Sequence, residues 1–539
     1  MDQNPVSLSR ANAREKVWLA AVVLYSAVCA VAFYFLSRGP FGLPLNDFAG
    51  VAWLAARLQW SRLSTFADLN YPWGYPALLH ALSPLFGSTI RAARLVQAAS
   101  AGAALILLYL LCRRFSRSPR GKPWASFVAT AALSISVPFL LVAVSPLADM
   151  SAIALVLGGF LLVDSGAGRS SPRVFAGGLL VGAAYLLRYH ALLIAALTGL
   201  SVLVFTRGGL QTRLRSAAAF ALGFCSLAWT VWGINKANFG SAFKTLNQQA
   251  IYHYVFQDFR LFNPDYYKTP DVSLFGLLRE NPVGFFKTST HTFSVLVSEP
   301  AMIWALALAA LALLVPTAPE AERRPFRFGP ALVMVALGYS SVVSLTRFTE
   351  RGYLLVLMLA GILIACGLSA LGAQTAASAG RRRLLYLWVP AAVLCYFLVT
   401  ARGWNNAITE HAAKTRETTE VLDALRRLPG YAPRSVLTYD YEVLPMDDSS
   451  GGLFHWFSGW LNYNPRYAKE YPLPPLSDFD KIIAFIREHR IRYIVIRKDL
   501  MSPDERPLPE AAKKLVSMFT CVRETPIHCI LDVPPETAP

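Results

Sequence analysis

Ionisable side chains are costly to keep inside apolar sequence, so they mark the first places to look for chemistry. Three carboxylates stand at the borders of apolar stretches. Asp47 lies in Pro44-Leu45-Asn46-Asp47-Phe48, Asp68 lies two residues before Asn70-Tyr71-Pro72-Trp73-Gly74-Tyr75-Pro76, and Asp149 follows Ser145-Pro146-Leu147-Ala148. A positioned carboxylate can take the proton from a hydroxyl nucleophile, and such general-base assistance is worth roughly 10²–10⁴-fold in rate. Each has a plainer use as well, because an acidic residue at a helix N-terminus caps it and complements its dipole. Cations gather at similar borders: Arg188 and His190 in Leu187-Arg188-Tyr189-His190, Lys236 in Trp232 to Gly240, and Arg347 and Arg351 in Arg347-Phe348-Thr349-Glu350-Arg351-Gly352-Tyr353. Snorkelling at a helix end accounts for any one of them. Several converging near Asp47 would suit a phosphate.

The elements that must position these groups follow from composition. Of 539 residues, 55 % are apolar and 16 % charged, against roughly 25 % charged in an ordinary soluble domain. That nearly excludes a soluble protein. A helix spans the hydrocarbon core with roughly 20 mostly apolar residues, and about eleven such windows occur. They are Val17 to Leu36, Arg94 to Leu111, Trp124 to Val144, Met150 to Val163, Val174 to Leu187, Ala191 to Phe205, Ser216 to Ile234, Phe293 to Val315, Phe328 to Leu345, Tyr353 to Ala370 and Leu384 to Thr400. The first is long for a signal-peptide core and no small-residue cleavage pattern follows it, so it reads as a retained anchor. The run Gly177-Gly178-Leu179-Leu180-Val181-Gly182 suits close helix packing.

Charge sets the orientation. Residues 1–400 carry 33 basic and 14 acidic groups, the remainder 18 and 19, so the net +18 resides in the apolar part. If the windows alternate across the bilayer, 19 of those 33 cations collect in one set of short segments, among them Arg113, Arg114, Arg169, Arg173, Arg207 and Arg213. Short cytoplasmic loops collect Lys and Arg. The N-terminus is therefore expected in the cytoplasm and the C-terminal region outside, in the plasma (inner) membrane. The clusters are accounted for as topology signals and headgroup contacts, and no nucleic-acid partner is needed.

Three longer segments then face outward: loops at about 37–91 and 235–292, and residues 401–539. Phe48 to Leu58 reads as an amphipathic helix in the interface, with Trp53 and Trp60 at headgroup depth. The C-terminal part reads as a small α/β domain: a strand at Ser435 to Tyr439, an amphipathic helix at Phe479 to His489, a strand at Ile491 to Ile496 and a hairpin at Met518 to Val533. Within the hairpin, a turn at Arg523 to Ile527 would set Cys521 opposite Cys529, giving a disulfide in an oxidising compartment or two buried thiols otherwise.

An outward Asp directly after the first helix, followed by the loop Asn70-Tyr71-Pro72-Trp73-Gly74-Tyr75-Pro76-Ala77-Leu78-Leu79, resembles the GT-C superfamily of membrane glycosyltransferases. The pattern is more narrowly similar to the family of protein O-mannosyltransferases and lipid A aminoarabinose transferases (glycosyltransferase 39/83-like). Further pieces agree in order: Ile90 to Leu95, Ala148-Asp149-Met150, Leu187-Arg188-Tyr189, Trp232 to Gly240 and Arg347 to Leu355. The resemblance implies an α-helical polytopic membrane protein of about eleven spans (residues 1–400), with amphipathic outer loop helices and the small extracytoplasmic α/β domain.

It implies also an inverting transfer of a sugar from a polyprenyl-phosphate donor to a hydroxyl on a glycan, lipid or protein, at the extracytoplasmic bilayer face. Asp47 matches the family's general base. Many members have Asp-Glu here; Phe48 leaves one carboxylate. Asp68 and Asp149 are candidates for a second one, Arg188, His190, Lys236, Arg347 and Arg351 for the donor phosphate, and the loop residues Asn70, Tyr71, Trp73 and Tyr75 for donor or acceptor contacts. No dense acidic cluster calls for a cofactor, although Asp47, Asp68 or Asp149 could ligate a divalent metal. A lipid-substrate transporter or flippase is the alternative, disfavoured by the lack of a clear internal repeat; a non-catalytic envelope-assembly subunit is another.

Overall fold

The computed structural model describes residues 5–38, 71–115, 123–243, 274–288, 328–343, 416–432, 435–438, 453–455, 479–498, 510–526 and 528–534, with scattered positions at 48–61, 245, 290, 354–362 and 409–413. Asp47, Asp68, Asn70, Arg347 and Arg351 lie outside the described residues, as do the expected spans Phe293 to Val315 and Leu384 to Thr400.

Among the described residues the apolar windows fold as helices. In chain order the described helices of this part are α1 (Pro5–Arg38), α2 (Gly74–Phe86), α3 (Thr89–Phe115), α4 (Pro123–Ser134), α5 (Val137–Val144), α6 (Asp149–Gly166), α7 (Ser171–Leu187), α8 (Ala191–Phe205), α9 (Leu210–Phe239), α10 (Leu274–Glu280) and α11 (Phe328–Val343), of which α2 and α10 fall in the expected outward loops. Among the described residues, α1, α3, α6 and α9 each contain a stretch long and apolar enough to cross a membrane, and α7 and α8 are shorter apolar helices. The expected span Trp124 to Val144 is instead two helices, α4 and α5, bent by 64°. Pro138 is the reason, since a proline lacks the N–H donor and its ring crowds the carbonyl four residues back. Ser136 caps the second half, its hydroxyl accepting from Phe139 N at 3.4 Å.

Glycine sets how closely the helices approach. A Cβ on Gly178 of α7 would fall on the Phe220 carbonyl oxygen of α9, and one on Gly223 of α9 would fall on that of Phe175. Backbone therefore lies on backbone, the small-residue packing that helices use in lipid, where no hydrophobic drive separates helix from solvent. Phe48, Val51, Leu54 and Ala55, in the segment expected to lie in the interface, are buried in the same core as the bundle helices.

Ion pairs mark one end of the bundle. Arg113 at the end of α3 meets Glu15 of α1 at 2.9 Å, and the neighbouring Arg114 pairs with Asp164 at the end of α6. Because α6 and α7 are consecutive and antiparallel, Asp149 and Arg188 lie at the other end, away from this arginine-rich one.

The C-terminal residues form a five-stranded sheet of order β2-β1-β3-β5-β4, with β1 (Val436–Thr438), β2 (Leu453–His455), β3 (Tyr493–Arg497), β4 (Thr520–Glu524) and β5 (His528–Asp532). Strands β2, β1 and β3 run parallel, and β5 is antiparallel to both β3 and β4. Successive strand residues face opposite sides, and the core divides accordingly. Leu437, Ile494, Ile496 and Leu531 pack with helices α12 (Phe479–Glu488) and α13 (Glu510–Met518). Val436, Tyr493, Val495 and Ile530 pack with Val421, Leu422 and Leu425 of a helix at 416–427. On that second side Glu417 receives the Thr525 hydroxyl and lies 3.4 Å from His528 Nδ1. Cys521 and Cys529 form a disulfide. A bulge at Cys521/Arg523 pairs Cys521 with Leu531 and Cys529 with Glu524, so the cysteines sit diagonally rather than directly opposite.

Candidate functional site

The candidate site is built where three helix termini meet. Asp149 occupies the first turn of α6, and Arg188 is the C-cap of α7. The loop Arg188-Tyr189-His190 turns directly into α8, whose N-cap is His190. Arg188 Nη2 donates to Asp149 Oδ2 at 2.5 Å, with both side chains almost fully buried, at 7 % and 5 % exposed. A carboxylate at a helix N-terminus and a guanidinium at a C-terminus each complement the local dipole, so the pair and the helix ends reinforce one another.

The aromatic loop closes over this pair. The Arg188 guanidinium lies 5.3 Å from the centre of the Tyr71 ring, within cation–π range. Gly74 makes that approach possible: a Cβ there would stand 2.5 Å from the Leu186 carbonyl oxygen, in the last turn of α7. Tyr75 is fully buried, and its hydroxyl donates to Pro146 O at 3.1 Å, in the bend before Asp149. Trp73 takes the N-cap position of α2. Tyr189 donates to Asn235 Oδ1 at 3.3 Å, tying the 188–190 loop to the end of α9. There Lys236 lies in the last turn, exposed and at the same end of the bundle as Asp149.

Beside the pair opens a small cleft of about 20 Å³. Asp149, Arg188 and His190 are its charged and titratable lining, while Ile153, Val156, Ile194 and Leu355 supply an apolar wall and Tyr339 of α11 a phenol.

The structure thus brings together Asp149, Arg188, His190, Tyr71 and Tyr75 from the sequence reading. Among the described residues no three His, Cys, Asp or Glu side chains are grouped to hold a metal, and the Asp149 carboxylate is already engaged by a guanidinium. Sequence reasoning missed Gln97, Ser100 and Ser151. Gln97 Nε2 donates to Ser145 O at 3.1 Å, Ser151 donates to Gln97 Oε1 at 3.1 Å, and Ser100 and Ser151 hydroxyls are 2.8 Å apart. The one available signal was polar residues three apart inside the apolar helix α3.

This bundle, with its terminal sheet, shares its fold with solved structures of ArnT and an archaeal oligosaccharyltransferase. Three solved structures give the likeness its scale. ArnT from Cupriavidus metallidurans bound to undecaprenyl phosphate matches with a TM-score of 0.58 at 14 % identity, over 96 % of this chain and 99 % of that one. The same protein in the apo state matches over the same shares with a TM-score of 0.53. The oligosaccharyltransferase of Archaeoglobus fulgidus in the apo form gives 0.51 at 12 % identity, over 90 % of this chain and 70 % of its own. No family model and no curated protein sequence matches the chain.

Proposed function

We propose that the protein is a glycosyltransferase that moves a sugar from a polyprenyl-phosphate donor to a hydroxyl of a glycan, lipid or protein. The observation that carries this reading is the cleft: a buried Arg188 beside His190 at its charged end and aliphatic side chains along its wall. It occurs in a fold that ArnT uses to bind undecaprenyl phosphate.

In this mechanism Asp47 removes the acceptor hydroxyl proton as the oxygen attacks the anomeric carbon from the face opposite the phosphate. The new carbon–oxygen bond forms as the bond to phosphate breaks, configuration inverts, and polyprenyl phosphate leaves as an anion. A phosphate is a good leaving group and needs charge stabilisation rather than a proton. Arg188, His190 and Lys236 supply it, with Arg347 and Arg351 completing the set. Asp149 serves as the partner that holds Arg188, and Asp68 has no assigned step. Residues 1–400 constitute the membrane catalytic domain and residues 401–539 an extracytoplasmic domain. The Cys521–Cys529 disulfide supports that side, because such bonds persist in oxidising compartments.

The test uses purified protein, a radiolabelled polyprenyl-phosphate sugar and a cell-envelope extract as acceptor. Wild type releases carrier phosphate, and Asp47→Asn falls by roughly 10²–10⁴-fold. Equal turnover by the variant would remove Asp47 from the mechanism, and no turnover by wild type with any lipid-linked sugar would remove the function.

A further inference from the structure

The bend Ser145 to Ala148 separates α5 from α6 in the interior of the bundle. Its backbone lies outside any helix, and a non-helical stretch buried in a membrane protein must find partners for its polar groups. Two side chains from other elements provide them. Gln97 of α3 donates to the Ser145 carbonyl, and Tyr75 of α2 donates to that of Pro146, each at 3.1 Å. Gln97 does more than satisfy a carbonyl. Its other amide atom accepts from Ser151, so one side chain grips the chain four residues before Asp149 and two residues after it. Gln97 is 1 % exposed and Tyr75 not at all, so water does not compete for these bonds.

We propose that Gln97, with Tyr75 and Ser151, forms a clamp that positions Asp149 and, through the ion pair, aims the Arg188 guanidinium into the cleft. These are positioning residues, since none reaches the cleft lining. The proposal rests on the phosphate-binding reading of Arg188. The clamp is polar where apolar packing would hold the helices equally well, and it lies on both sides of one functional carboxylate. Misplacing a charged ligand by a fraction of an ångström weakens its hold on a phosphate without loosening the bundle as a whole.

The experiment measures the affinity of the purified full-length protein for undecaprenyl phosphate in detergent micelles, by scintillation proximity. Gln97→Met keeps the volume and loses both bonds; Tyr75→Phe loses one hydroxyl. Each is expected to weaken affinity by roughly three- to tenfold, the effect of about one hydrogen bond, and Ser151→Thr, which keeps the hydroxyl, to retain it. Tyr25→Phe removes a comparable interhelical bond, to Ser134 at 2.5 Å, with no link to Asp149, and is expected to leave affinity unchanged. In an Arg188→Met background the Gln97→Met effect should vanish, because it acts through that arginine. Wild-type affinity for Gln97→Met and Tyr75→Phe, with Arg188→Met weakened, overturns the clamp alone. An effect of Gln97→Met that persists undiminished without Arg188 does the same. Unchanged affinity in Arg188→Met overturns both the clamp and the phosphate role on which it stands.

Discussion

Removing either member of the Asp149–Arg188 pair strands a charge at a site only 5–7 % exposed to solvent. Breaking a buried pair in this way costs about 3–5 kcal/mol, whereas replacing both partners with apolar residues of similar volume is often neutral or stabilising. The structure moves the expected value to the lower end, about 3 kcal/mol, because each orphan would still face a favourable helix pole worth roughly 0.3–2 kcal/mol. Arg188→Met also loses the stacking on Tyr71, about 0.5–2 kcal/mol. Asp149→Leu, Arg188→Met and the double variant, unfolded by sodium dodecyl sulfate titration in mixed micelles, complete a double-mutant cycle. Asp149→Leu should lose about 3 kcal/mol and Arg188→Met about 3.5–5 kcal/mol, and the double variant less than either, giving a coupling of about 3 kcal/mol or more. If the two single losses simply add in the double variant, the side chains do not share a site and the account of the cleft fails.

Gly178→Leu or Gly223→Leu would set a side chain where α7 and α9 touch backbone to backbone, so the helices must part; both variants should elute as aggregate in size-exclusion chromatography. Replacing both Cys521 and Cys529 with Ser opens a link spanning 8 residues, and chain-entropy reasoning sets the loss at about 2.5 kcal/mol; thiol labelling of unreduced wild type should leave these two cysteines unmodified, and labelling of both would refute the bond. Glu417→Ala leaves the buried Thr525 hydroxyl and His528 without that carboxylate, so limited proteolysis should cut within 416–534 about tenfold faster, the effect of roughly 1.4 kcal/mol.

Much of the bundle was legible because a spanning helix needs a long apolar run: α6, α7 and α8 lie within three residues of their windows, whereas α1, α3 and α9 overrun theirs by four to twelve residues at one or both ends. The break between α4 and α5 was not, since Pro138 is itself apolar enough to be averaged into a window. Asp149 and Arg188 stood out singly as charges at apolar borders. Their pairing depends on the end of one helix meeting the start of its antiparallel neighbour, 39 residues away in sequence. Gln97 carries no charge, so it drew no notice as an ionisable group, and its role shows only with Ser145 and Ser151 beside it. In the sheet, β3 and the hairpin showed their alternation, but β2, three residues long, is too short for any period to register. The segment from Phe48 to Leu58 reads as an amphipathic helix in the interface, and its described apolar residues join the core of the bundle.

Three side-chain grips on the main chain share a trait. Tyr75, Gln97 and His80, whose Nδ1 lies 2.8 Å from Ala55 O, take hold of main-chain carbonyls at Pro146, Ser145 and Ala55. A carbonyl oxygen is present whatever the side chain, so the residues being held are free to drift over evolutionary time while the residues doing the holding are not. A scaffold fastened this way can lose nearly all recognisable sequence and still return its helix ends to the same places, in keeping with 14 % identity over 96 % of the chain.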